Sequence, residues 1–98
     1  MFGTVTKFRF TRPLTTADWE TINRELVPPL KSQPGYLGYF EVLVGERECI
    51  SVKFWASQSA AEQGGAAIRP RLMELFGSAM DGPPERSMGE VQIADPPA

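Results

Sequence analysis

The sequence predicts an α+β domain of ferredoxin-like type, with elements in the order β-α-β-β-α-β and an antiparallel sheet ordered 4-1-3-2. Three observations carry this reading. Four short segments rich in Phe, Val, Ile and Thr favour a pleated, half-buried sheet. Two longer segments repeat apolar residues at helical spacing. Gly and Pro, nine of each, gather between these segments rather than within a repeat. Right-handed crossovers then place both helices on one face of the sheet.

Residues 2–11 (FGTVTKFRFT) read as the first strand, closed by Arg12-Pro13. Thr15 or Thr16 caps the first helix, and Asp18 and Glu20 in its first turn suit the positive end of the helix dipole. Trp19, Ile22, Leu26 and Leu30 make its apolar face. Pro28-Pro29 must end or kink it, because each proline removes a donor and crowds the preceding turn. Gln33-Pro34-Gly35 is a turn. Residues 36–44 and 48–55 then form a hairpin around Gly45-Glu46-Arg47.

Ser57 or Ser59 caps a second helix over 58–77, with Ala61, Ile68, Leu72, Leu75 and Phe76 on its apolar face. Gly64, Gly65 and Pro70 predict a kink or break in its middle. After Asp81-Gly82-Pro83-Pro84, residues 87–94 read as the last strand. The reading is one domain over 1–94 with a flexible tail at 95–98.

Strand alternation divides the sheet into two sets of side chains. Phe8, Phe10, Phe40, Val42, Val44, Ile50, Val52, Phe54, Val91 and Ile93 are expected beneath the helices, being the more apolar set. Lys7, Arg9, Tyr39, Glu41, Cys49, Ser51 and Lys53, with Val5, Leu43 and Trp55 among them, are expected on the other face. That second face is too apolar to stay bare, so a second copy of the chain is expected to cover it.

Composition narrows the function classes. The chain has 98 residues, enough for one core, with 42% hydrophobic and 22% charged residues. A net charge of −2 gives no electrostatic footprint for nucleic acid. Histidine is absent and Cys49 stands alone. This removes the commonest metal ligand, the commonest neutral-pH acid–base group and any internal disulfide. No metal site is expected. No apolar run is long enough to span a membrane, and Met1-Phe2-Gly3-Thr4 does not open a signal peptide, so the expected location is cytoplasmic.

The junction Lys53-Phe54-Trp55-Ala56-Ser57-Gln58-Ser59-Ala60-Ala61, together with Gln33-Pro34-Gly35-Tyr36-Leu37, resembles the antibiotic biosynthesis monooxygenase-like domains of the dimeric α+β barrel superfamily. The likeness runs through nearly the whole chain in element order. It implies a homodimer of half-barrels with a small-molecule pocket between each sheet and its helices. It also implies oxidation of small aromatic, phenolic or quinol compounds by oxygen without a cofactor. Relatives with known chemistry commonly carry His or Trp early in the second helix, a place that falls near Gly64 here. The haem-degrading branch needs an Asn on the first strand and a His ligand. Here the only Asn is Asn23, on the first helix, so haem degradation is excluded.

No catalytic residue is assigned at this level. Substrate-binding candidates are Thr4, Thr6, Phe8, Phe40, Phe54 and Trp55. The aromatic residues among them also suit a plain core, and the threonines are good strand formers in any case. Trp55 suits either stacking on a substrate or packing at an interface or under the helix start. Gly64-Gly65 either makes room for a ligand or lets the helix pack closely on the sheet. Glu41 and Lys53 are expected to pair across the hairpin, and Cys49 to be an inert thiol. The expected partner is a small aromatic or apolar molecule. The alternatives to the oxygenase are a non-catalytic binder and an isomerase or cyclase on the same scaffold.

Overall fold

A computed structural model describes residues 1–96; the last two residues of the tail expected at 95–98 lie outside the described part. The elements are β1 (Phe2–Arg9), α1 (Thr16–Glu25), α2 (Val27–Lys31), β2 (Tyr36–Gly45), β3 (Glu48–Trp55), α3 (Gln58–Phe76), a 3-10 turn (Gly77–Ala79) and β4 (Glu85–Glu90). All pairings are antiparallel and the strand order is β2-β3-β1-β4, the predicted order read from the other edge.

The helices begin where side chains satisfy their free N–H groups. Thr15 Oγ1 accepts from the Asp18 N–H at 3.2 Å, and Asp18 Oδ2 accepts from the Thr15 N–H at 2.7 Å, a reciprocal capping box. Ser57 caps α3 by accepting from the Ala60 N–H. The first predicted helix is divided at Leu26, with Pro28 and Pro29 in the opening turn of α2, where a missing N–H costs least. By contrast α3 continues through Gly64, Gly65 and Pro70 without the expected break.

Trp55 accounts for Gly64. A Cβ on Gly64 would lie 2.1 Å from the Trp55 ring, so glycine is what lets the helix rest on the indole. Of the two readings of this glycine pair, close packing holds at Gly64. Trp55 is 1% exposed, with Tyr36 edge-on to it at 6.1 Å.

The first and last strands have other boundaries than expected. β1 ends at Arg9, with Phe10 making one further bridge to Met80. β4 occupies 85–90 rather than 87–94. Val91 still donates its N–H to the Met1 carbonyl, whereas Ile93 lies exposed beyond the sheet.

The larger correction concerns the faces. Register pairs Phe2 with Trp55, Thr4 with Lys53, Thr6 with Ser51 and Phe8 with Cys49. It also pairs Tyr39 with Lys53 and Glu41 with Ser51. The set beneath the helices is therefore Phe2, Thr4, Thr6 and Phe8 with Tyr39, Glu41, Cys49, Ser51, Lys53 and Trp55. Phe40, Val42, Ile50, Val52 and Phe54 lie on the opposite face with Val5. Alternation shows which residues share a face within one strand, but a one-residue change of register turns a whole strand over. A register shift between Tyr36 and Gly38 adds to this, since it puts Tyr36 and Tyr39 on the same side although they are three residues apart.

The core lies between sheet and helices. Leu26, Leu30, Ala61, Ile68 and Phe76 from the helices meet Phe2, Phe8, Phe10, Cys49 and Trp55 from the sheet side.

Candidate functional site

The polar residues that register turns inward form two groups. In the first, Glu41 accepts from the Tyr39 hydroxyl at 2.7 Å and from Ser51 Oγ at 2.7 and 2.8 Å. Burial, with the nearby Glu41 charge adding to it, pushes the Tyr39 hydroxyl well above its ordinary pKa. The same two causes, burial first, push the Cys49 thiol up to about 12. Cys49 is thus a buried, protonated thiol with no nucleophilic character at neutral pH. The expected Glu41–Lys53 ion pair is not formed: Glu41 is held by Tyr39 and Ser51, and Lys53 Nζ stands 5.5 Å from the centre of the Tyr39 ring.

The second group surrounds a cavity of about 260 Å³ between the sheet and α3. Thr4, Thr6 and Phe8 reach it from β1, Lys53 and Trp55 from β3, and Arg86 from β4. Gly64, Gly65 and Arg69 close it from α3. Burial lowers the Lys53 pKa, and the charge of Arg86 acts in the same direction against Glu41. Burial also lowers Arg86, with the Arg69 charge adding to it. These are the effects expected of cations brought together in a partly desolvated space.

Thr4, Thr6, Phe8 and Trp55 therefore lie together along one cavity. Phe40 and Phe54 do not join them. Their rings meet edge-on at 6.4 Å on the far face, in a depression shared with Leu37, Val91 and Ile93. Arg69 and Arg86 were not among the residues singled out from sequence, and Lys53 was singled out only as a partner for Glu41. The alternation did hold one usable signal, because Thr4 and Thr6 share a face with Phe8. Antiparallel pairing then brings every second residue of β3, Lys53 included, to that same face. Among the described residues no cluster of acidic, Cys or His side chains is arranged to hold a metal ion, and no helix is long and apolar enough to cross a membrane.

The fold is that of several solved structures. A protein of unknown function from Nitrosomonas europaea matches with a TM-score of 0.80 at 15% identity, over 99% of this chain and 94% of that one. A monooxygenase from Streptomyces coelicolor, crystallised with nanaomycin D, matches with a TM-score of 0.74 at 22% identity, over 99% of this chain and 92% of that one. The cofactor-independent oxygenase SnoaB of Streptomyces nogalater matches with a TM-score of 0.74 at 13% identity, over 98% and 97%. No family profile matches the sequence, and no curated protein matches it.

Proposed function

We propose that the chain is an antibiotic biosynthesis monooxygenase-like protein that oxidises a small aromatic, phenolic or quinol compound with molecular oxygen. The observation that carries this reading is the cavity between β1, β3 and α3, with a buried indole at its wall and Lys53 and Arg86 beside it. Similarity of fold to a cofactor-independent oxygenase supports it. Cations facing a partly dry cavity favour the ionised form of a phenol or of the enol of an anthrone. The electron-rich anion then reacts with oxygen directly, so that a ring CH2 becomes C=O, one O2 is consumed and one water leaves. Thr4, Thr6, Phe8 and Trp55 hold and orient the ring.

A homodimer in the cytoplasm is part of the proposal. The far face of the sheet exposes Val5, Phe40 and Val42 at 43–55%, a continuous apolar surface of the kind that a second copy covers. Two observations favour a non-catalytic binder instead. No histidine is present to move a proton, and the place in α3 where relatives commonly carry His or Trp falls near Gly64.

Oxygen uptake decides between the two. With an anthrone or a reduced quinone, and without added flavin or metal, the oxygenase consumes oxygen in proportion to substrate above the uncatalysed rate. Binding of these compounds with no uptake above background overturns the enzyme reading and leaves the binder.

A further inference from the structure

The cavity wall is mainly apolar, and the polar side chains on it are Thr4, Thr6, Lys53, Trp55, Arg69 and Arg86, none of them acidic. Among the described residues five cations make no ion pair; Lys31 and Arg47 stand alone in solvent, whereas Lys53, Arg69 and Arg86 share one cavity. The two guanidinium groups converge over Gly65. A Cβ on that glycine would lie 3.2 Å from Arg86 Nη2 and 3.6 Å from Arg69 Nη2. Glu41 and Glu62, whose charges reach Lys53 and Arg86, come within ion-pair distance of neither: Glu41 accepts from Tyr39 and Ser51, and Glu62 accepts from Gln58.

Trp55 adds an independent observation. Its indole N–H is buried and has no hydrogen-bond partner, although a buried donor normally finds one. Thr4 and Thr6 contribute hydroxyls along the same wall. A chain of net charge −2 thus brings three unpaired cations and a buried indole to the wall of one cavity. Like charges held together in this way are stabilised by an anion between them.

We propose that the cavity takes an aromatic carboxylate, with the carboxylate held by Arg86 and Arg69 and the ring running past Lys53 towards Trp55. The proposal rests on reading this cavity as the ligand site and adds the substrate class. Guanidinium groups match a carboxylate in two-point geometry. The remaining wall is apolar, from Phe8, Ile68, Leu72 and Met73, and suits a ring. At about 260 Å³ the space falls just under the ~300–1,000 Å³ of common ligand pockets, which fits one or two fused rings.

The experiment compares 2-naphthoate with its neutral isostere 2-naphthamide by calorimetric titration of the whole protein at low salt. The carboxylate is expected to bind about tenfold or more tightly, and added salt to narrow the difference. The double variant Arg69→Gln with Arg86→Gln, both exposed positions, is expected to lose the preference while keeping its thermal midpoint. Equal affinities, no binding of either compound, an unchanged preference in the double variant, or equal displacement by inorganic phosphate would each overturn the proposal. Oxygen uptake is read separately. Oxidation of a neutral anthrone without carboxylate preference sinks this inference and keeps the oxygenase. Carboxylate preference without any uptake keeps the inference and sinks the oxygenase.

Discussion

The two faces of the sheet differ in how they are completed. The face beneath the helices mixes Phe2, Phe8, Cys49 and Trp55 with threonines, a serine, a carboxylate, a lysine and two tyrosines, while the far face carries Val5, Phe40, Val42, Ile50, Val52 and Phe54. A helix-covered sheet usually hides its most apolar residues. Here it hides Phe2, Phe8 and Trp55 against Leu26, Leu30, Ile68 and Phe76 of the helices, with polar groups set among them. Polar groups there are tolerated because they satisfy one another, as Glu41 does with Tyr39 and Ser51, or border open space, as Thr4 and Thr6 do. The apolar face has no such internal solution and calls for a cover from outside.

The covered face is sharpened most by the Trp55–Gly64 contact. Trp55→Ala is expected to cost about 3–5 kcal/mol, because it empties a fully buried ring site. Gly64→Ala puts a methyl group into the indole and is expected to cost about 2 kcal/mol despite alanine's better helix propensity. In a Trp55→Leu background the Gly64→Ala penalty should shrink or change sign. Urea denaturation of the four proteins measures this coupling. Additive effects would mean that the ring and the glycine do not touch.

The open face gives the next effect. Phe40→Glu places a charge at its centre, 55% exposed in one chain. If a second copy covers that face, the variant should weaken self-association by about 2 kcal/mol or more. Sedimentation would then show a fall from twice 10.8 kDa towards the single-chain mass, with the helix content unchanged. Identical sedimentation of variant and parent as single chains would show that this face is not a self-association surface.

The smallest effects lie at the edge of the covered face, in the α1 cap. Thr15→Ala removes the acceptor for the Asp18 N–H and is expected to cost about 1 kcal/mol. Asp18 also carries a pH dependence. The Arg12 guanidinium, bonded at 2.6 and 3.1 Å, holds its carboxyl at about 2, below the usual 3.8. A depressed carboxylate stabilises the fold fully above its unfolded pKa and loses that contribution as pH falls through its folded one. Stability should therefore decline between about pH 4 and pH 2, and Asp18→Asn should flatten that part of the profile. An unchanged profile in the variant would assign the acid loss to other carboxylates.

Much of this molecule is legible from residue types alone. Capping at Thr15 and Ser57, the apolar stripe from Trp19 to Leu30, and the hairpin between Val44 and Glu48 are local events, decided within a few residues by hydrogen-bond geometry and periodicity. So are the element order and, through the handedness of crossovers, the strand order. The candidate site was legible only in part. Thr4, Thr6, Phe8 and Trp55 lie along the cavity, whereas Phe40 and Phe54 belong to the other face.

What escaped the sequence is phase between elements. Period-two alternation is symmetric, so nothing within β2 or β3 tells Phe40 from Tyr39, or Phe54 from Lys53, as the residue under the helices. Pairing with β1 and the shift after Tyr36 decide it. The same holds for α3, where Gly64 predicts a break until the Trp55 ring is brought beneath it. Arg69 and Arg86 are seventeen positions apart on a helix and an edge strand, and only packing across Gly65 makes them neighbours. Local geometry depends on a residue and its near neighbours, and the sequence determined it. The meeting of Lys53, Arg69, Arg86 and Trp55 around one cavity depends on register and on helix-to-sheet contact, and those exist only once the chain has folded.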